Sequence, residues 1–210
     1  MVQHILSLAV SEQGGPVKET ALDYSRYFWQ GDKVRLRPLR LDDAEAAFIA
    51  SLDSPSRQAL QLGIELPTSV EALRSSLEKL VDCKDADGVR VFTIESLEGE
   101  NLGGISYHSR DRKNGVFSFG IVIDRPFRKQ GYAEEAVSIL LRYGFRERRY
   151  QKCNSACIQT NTASIALHKK LGFTEEGRVR RRWFYGGQYH DEVLFGITVE
   201  EFEALQATQR

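Results

Sequence analysis

Residues Val116 to Ile123 (Val-Phe-Ser-Phe-Gly-Ile-Val-Ile) form an almost unbroken apolar run. Such a run suits a strand covered on both faces, hence a central strand of a mixed sheet. Behind it stand Arg128-Lys129-Gln130-Gly131-Tyr132-Ala133, then an amphipathic pattern over residues 133–146 with Ala136, Leu140 and Tyr143 on one stripe and Ile139 beside it. A strand that enters a helix through a basic, glycine-containing turn is an α/β device, and the turn is suited to an anion. The first helical N–H groups have no partner inside the helix. No Ser, Thr, Asp or Asn immediately precedes this helix to cap it, so water or a phosphate must take those donors. Gly120 interrupts the apolar run, and a glycine within a strand marks a bulge or a close ligand approach.

The rest of the chain extends this α/β pattern. Val34 to Leu39 alternates apolar and basic residues as a half-exposed strand does. Asp42 to Leu52 carries Ala44, Ala47, Phe48 and Leu52 at helical spacing, and residues 54–67 read as a loop. Thr68 and Glu71 form a capping-box pattern ahead of a helix with Val70, Leu73, Leu77, Leu80 and Val81 on one stripe. Strands are expected over Val89 to Glu95 and Leu102 to His108, joined by the turn Glu98-Gly99-Glu100-Asn101. Another is expected over Lys152 to Gln159, followed by a short helix from Asn161 to Leu171 that Gly172 stops. Two last strands, about Gly177 to Tyr185 and Tyr189 to Thr198, flank Gly186-Gly187, a hairpin signal, and a helical piece spans Val199 to Leu205. Residues 1–31 read as an arm, broken at Gly14-Gly15-Pro16 and carrying Tyr27-Phe28-Trp29. Its aromatics are expected on the body of residues 32–210 or on a second copy, which makes a homodimer an expectation.

Composition narrows the function classes. Lys+Arg and Asp+Glu number 29 each, whereas a dedicated nucleic-acid binder carries a basic excess. Within Arg178, Arg180, Arg181 and Arg182, strand alternation puts Arg180 and Arg182 on one face, as on a solvated edge strand. No apolar run is long enough to span a bilayer, and the N-terminus lacks the basic flank of a signal peptide. Cys83, Cys153 and Cys157 are odd in number and lack metal-ligand spacing, which fits reduced thiols and a cytoplasmic location with no metal. Cys153 and Cys157 share one face of a strand and read as small core hydrophobes.

Taken together, Arg128, Gly131 and Ala133 in the pattern R-x-x-G-x-A, and the run Asn161-Thr162-Ala163-Ser164 … Lys170-Leu171-Gly172-Phe173, resemble the Gcn5-related N-acetyltransferases (GNAT). Glu176-Gly177, Arg181 and the hairpin from Gly187 to Asp191 resemble the branch of ribosomal-protein N-terminal (Rim-type) and spermidine acetyltransferases. The resemblance covers residues 34–197. It implies a GNAT fold: a mixed central sheet splayed between its fourth and fifth strands, with helices on both faces. It also implies acetyl-CoA as cosubstrate and an amine acceptor, either a protein N-terminus or a small molecule. The pyrophosphate would sit on Arg128, Lys129, Gln130, Gly131, Tyr132 and Ala133. The pantetheine arm would lie along Phe119, Ile121, Val122 and Ile123 and against Asn161 and Ser164.

The implied reaction is direct attack of a neutral amine on the thioester within a ternary complex. It needs a base, hydrogen bonds for the oxyanion and an acid for the thiolate. Asn161, Ser164 and His168 fall at i, i+3 and i+7 on one helix face. Ser164 matches the family serine beside the thiol. His168 stands where many members place a tyrosine acid, and reads either as that acid or as a surface histidine beside Lys169 and Lys170. Related enzymes often carry a glutamate base two residues before the position of Gly120; here that residue is Ser118. Glu95, His108 or a water chain is left for the role. A polyamine or aminoglycoside acceptor calls for an acidic pocket, to which residues 54–67 contribute only Glu65. A non-catalytic acyl-CoA sensor is the reading from another class.

Overall fold

The computed structural model describes residues 23–60, 63–64, 66–81 and 89–208. Gly14-Gly15-Pro16, Glu65 and Cys83 lie outside the described residues. The elements are β1 (Val34–Pro38), α1 (Ala44–Ser51), α2 (Ser54–Ala59), α3 (Val70–Val81), β2 (Arg90–Ser96), β3 (Asn101–Asp111), β4 (Val116–Ile123), α4 (Tyr132–Arg142), β5 (Lys152–Ile158), α5 (Thr162–Lys170), β6 (Thr174–Tyr185), β7 (Gln188–Thr198) and α6 (Val199–Thr208). The strands make one mixed sheet in the order β1-β2-β3-β4-β5-β7-β6. All pairings are antiparallel except β4 with β5.

That parallel pairing is short. It covers Val116↔Lys152, Phe117↔Cys153 and Ser118↔Asn154, then stops. Beyond Ser118, β4 continues against β3 as far as Ile123, while β5 continues against β7 as far as Ile158. This is the expected splay of the fourth and fifth strands.

The apolar positions of β4 explain the packing. Phe117 and Phe119 point one way and are buried with Ala136, Val137 and Leu140 of α4. Phe117 presses so close to the π-turn that continues α4 (Tyr143–Glu147) that a Cβ on Gly144 would clash with its ring. Val34, Leu36 and Ile94 are fully buried on this same side.

The alternate residues of β1 and β2 face the other way and carry charge. Arg37 makes a two-bond clamp on Asp43 (2.9 and 2.8 Å) and reaches Glu95 at 2.6 Å. Arg35 bonds the other Glu95 oxygen. Thr93, Asn101 and the Arg40 N–H complete the shell of Asp43. Glu95, considered above as a base, is therefore the shared counter-ion of two arginines. Their guanidinium groups hold its carboxyl below the usual glutamate range against the opposing effect of burial.

Three local readings change. Residues 54–67 are not all loop: Ser54–Ala59 is a helical turn whose cap is Asp53, accepting from the Ser56 N–H at 3.2 Å, with Pro55 in its first turn. The side chain that caps α3 is Ser69, whose Oγ accepts from Ala72 N–H at 3.2 Å, rather than Thr68. The arginine run of β6 does lie on the sheet edge. Its strict alternation is broken, because the register shifts between Val179 and Trp183, with Arg181 at φ +55° and its N–H bonded to Asp191.

Of the arm, residues 23–31 are described, and their rings pack on the chain's own body. Trp29 stacks on Phe92 (5.4 Å between centroids) and tilts against Tyr143 (4.6 Å). Arg142 donates to the Phe28 carbonyl at 2.7 Å. The join is fixed by Glu135 of α4, whose carboxylate accepts from the N–H groups of Asp32, Lys33 and Val34, each at 2.8 Å.

Candidate active site

Two cavities meet at the splay. The larger, about 620 Å³, runs from the basic turn along the end of β4 to α5. Ile121 and Ile123 line its sheet side, Asn161, Ser164 and Leu167 the α5 side, and Pro55 and Ala59 of α2 close it. The smaller, about 390 Å³, occupies the gap that opens past Ser118 and Asn154. Ala59, Leu60, Ile121, Asn161 and Ser164 line both, so the two cavities are continuous past the face of α5 that carries Ser164.

The turn has the geometry an anion site needs. Gly131 is the residue before α4, at φ +88° and ψ −2°, and no side chain caps the helix. Its first-turn N–H groups therefore face the cavity mouth with the positive end of the helix dipole behind them. Lys129 takes φ +64°, a left-handed conformation uncommon for a side-chain-bearing residue. Arg128 turns back: its Nε donates to the Ile123 carbonyl at 2.8 Å and its guanidinium lies 3.8 Å from Asp53, so it ties the turn to the end of β4 and to α2. Tyr132 and Ala133 line the larger cavity, whereas Gln130 does not and receives the Tyr132 hydroxyl on its side chain (3.2 Å).

A second cation at the turn, Lys33, escaped sequence reasoning. Its Nζ donates to the Gln130 carbonyl at 3.3 Å and would lie 3.0 Å from a Cβ on Gly131. Nothing local in Gly31-Asp32-Lys33 signals this. The Glu135 clamp, a contact across about a hundred residues of chain, is what carries Lys33 there.

The pantetheine-side candidates divide. Ile121 and Ile123 line the larger cavity and Phe119 the smaller, but the Val122 side chain lines neither. Asn161 is the cap of α5, its Oδ1 accepting from Ser164 N–H at 3.0 Å and its Nδ2 donating to the Ala59 carbonyl at 3.1 Å. It thus fastens α5 to α2 across both cavities.

His168 is not a surface histidine. It is 2% exposed and lies between Phe195 (4.6 Å, interplanar 14°) and Phe119 (5.9 Å, 26°). Its Nδ1 lies 2.7 Å from the Ser164 carbonyl, so Nδ1 carries the proton, because a carbonyl only accepts. Its Nε2 then accepts from the Ser155 hydroxyl at 2.8 Å. Burial lowers its pKa, and the ring is held neutral. Both ring nitrogens are engaged with protein partners. Cys153 and Cys157 are buried as expected. Burial pushes the Cys157 thiol up, with the nearby Ser164 hydroxyl opposing.

The smaller cavity contains the departure noted at Ser118. Ser118 pairs with His108 on β3 and with Asn154 on β5. Both line the cavity. No carboxylate lines it among the described residues, and none of the described residues form a metal-binding cluster.

Comparison with known proteins fits this geometry. The acetyltransferase (GNAT) domain family matches residues 33–174. The SPbeta prophage-derived uncharacterized N-acetyltransferase YokL of Bacillus subtilis is 34% identical, over 84% of this chain and 96% of its own length. Spermidine N(1)-acetyltransferase of Escherichia coli is 26% identical, over 83% and 91%. The solved structure of RimL, a ribosomal L7/L12 alpha-N-protein acetyltransferase, in complex with coenzyme A superposes with a TM-score of 0.69, at 19% identity over 81% of this chain and 97% of that one. The chain belongs to the GNAT acetyltransferase family. Its cosubstrate is acetyl-CoA. The larger cavity has an uncapped helix start and Lys129 at one end and an isoleucine-lined channel leading to Ser164 at the other. No helix among the described residues is long and apolar enough to cross a membrane.

Proposed function

We propose that this N-acetyltransferase acts on a single primary amine, that of a protein N-terminus or of a small molecule, and not on a polyamine. The observation that carries this is the lining of the smaller cavity. Its polar groups are hydroxyls, imidazoles, a thiol and two amides, with no carboxylate among the described residues to hold a second or third ammonium. The pyrophosphate would rest on the N–H groups from Gln130 to Ala133, with Lys129 and Lys33 supplying charge and Arg128 holding the turn in shape. The arm would run over Phe119, Ile121 and Ile123, pair with the β4 backbone at Val122 and pass Asn161. Ser164, where the two cavities join, would donate to the departing thiolate, and His168 would fix its orientation through the Ser164 carbonyl. A cytoplasmic setting suits the two buried thiols. A homodimer would have to use a surface other than the ring stack of the arm.

The test is a thiol-release assay with acetyl-CoA and four acceptors: benzylamine, a neutral N-terminal dipeptide amide, spermidine and kanamycin. Turnover on either of the first two, with at least tenfold lower kcat/KM on spermidine and kanamycin, is the expected result. Preference for spermidine or kanamycin would refute the proposal. Acetyl-CoA binding without turnover on any of the four would favour a sensor.

A further inference from the structure

The lining of the smaller cavity contains a second pair of groups with a chemical consequence of its own. Ser155 and His168 satisfy one another, and Ser164 stands at the donor end. His108 and Asn154 both pair with Ser118, His108 on β3, which stays beside β4, and Asn154 on β5, which parts from it beyond this point. His108 is aimed by a local distortion. The β3–β4 register shifts just after it, Ser109 takes φ +50°, and the Ser109 hydroxyl lies 2.9 Å from His108 Nδ1. The ring is thereby turned so that Nε2 lies beside Gly120, 3.9 Å from the position a Cβ there would take. Asn154 Oδ1 is buried and accepts no hydrogen bond among the described residues, an expensive arrangement unless a donor arrives.

We propose that His108 is the general base and that Asn154 Oδ1 is the acceptor that orients the incoming amine. This rests on the acetyl-transfer reading above and assigns its missing base. The ammonium gives one proton to the imidazole. The nitrogen lone pair forms the C–N bond as the carbonyl pair moves onto oxygen. Collapse breaks the C–S bond, and the sulfur pair takes up a second proton, passed on by the Ser164 hydroxyl. The amide keeps the third hydrogen, and His108 returns its proton to solvent. Burial lowers the His108 pKa while the adjacent Phe119 carbonyl opposes it, which favours the neutral, proton-accepting form of the ring near pH 7. The titratable groups facing it across the cavity are His168 and Cys157, both uncharged.

Two acceptors separate this base from a structural histidine. Benzylamine must lose a proton before attack; methoxyamine is already neutral at pH 7. His108→Gln is expected to lower kcat/KM for benzylamine by about 100-fold or more, to leave methoxyamine within about fivefold, and to remove the acid limb of the benzylamine pH profile. Asn154→Ala is expected to raise the KM for benzylamine about tenfold with kcat little changed and no loss of thermal stability, since no partner is orphaned. In ¹⁵N-histidine NMR of the protein with coenzyme A, the His108 ring signals, assigned by their loss in the Gln variant, should move on adding benzylamine. Equal losses for both amines, or no loss for either, would overturn the assignment, as would unmoved ring signals. If the wild type turned over neither amine, the acceptor reading above would fail, and the NMR titration would decide His108 by itself.

Discussion

His168 gives its Nδ1 proton to the Ser164 carbonyl one helical turn earlier, at 2.7 Å, which leaves Nε2 to accept from Ser155. The imidazole is thus built into the protein as a neutral ring, in a slot between two phenylalanines. A neutral buried histidine has a folded-state pKa below its unfolded value of about 6.5. The unfolded chain then binds more protons in that window, so the stabilisation is complete above about pH 6.5 and is lost as pH falls through the lowered folded value. His168→Ala should destabilise by about 3 kcal/mol at pH 7 through the vacated slot and show a flatter stability profile between pH 7 and 5. Urea melts of both proteins across that range check it. An unchanged profile would mean that the ring titrates freely.

Gly131→Ala should weaken acetyl-CoA binding at least tenfold while costing only about 1 kcal/mol of stability. The left-handed φ accounts for the second figure. The Cβ displaces Lys33 Nζ from its contact with the turn and intrudes where the backbone must approach the phosphates. Calorimetric titration with acetyl-CoA, beside a thermal melt, reads both. Full affinity would defeat the phosphate-cradle reading.

Glu135→Ala should be costlier than its partly exposed position on a helix suggests. Three backbone N–H groups lose a charged acceptor at once, for about 2 kcal/mol. Hydrogen exchange should quicken at Asp32, Lys33 and Val34 before it does in β4. Since Lys33 loses its tether, acetyl-CoA affinity should fall as well, which a variant at a surface glutamate remote from the turn, such as Glu203→Ala, should not reproduce.

Glu95→Gln leaves Arg35 and Arg37 short of a counter-ion inside the β1–β2 face, where the Glu95 side chain is 8% exposed. The expected loss is about 3 kcal/mol. The wild-type carboxylate, its pKa lowered by the arginines, stabilises the fold above about pH 4.5 and stops doing so as pH falls through the lowered value. The variant should lack that part of the acid transition. Where it stays folded, its pH–rate profile should overlay the wild type's; a shifted profile would return Glu95 to the list of bases.

The parts of this molecule that the sequence made legible are those whose causes are local. An apolar run, a glycine before an uncapped helix, an asparagine cap and a paired-glycine hairpin each act within a few residues, and β4, α4, α5 and the β6–β7 turn lie where expected. Misreadings came from long-range causes. Glu95 looked available because its arginine partners are set by β1–β2 register. The surface reading of His168, one of two that its His-Lys-Lys sequence allowed, fails because its burial depends on Phe195, which β7 brings over from a later part of the chain. The helix α2 was missed although Asp53-Ser54-Pro55 is a cap followed by a first-turn proline, since six residues carry too little periodicity to register.

The three residue pairs that join β4 to β5 also make a mechanical joint. The sheet is divided into two parts, one of four strands and one of three, held at one corner and separate along the rest of the seam, like the tines of a fork. Whatever lies between the tines sets their spacing, and anything that spans them acts as a splint. A molecule with this construction should open and close over a narrower range when filled than when empty. The damping should be greatest at the tips, Ile123 and Ile158, and vanish at the joint, Phe117 and Cys153.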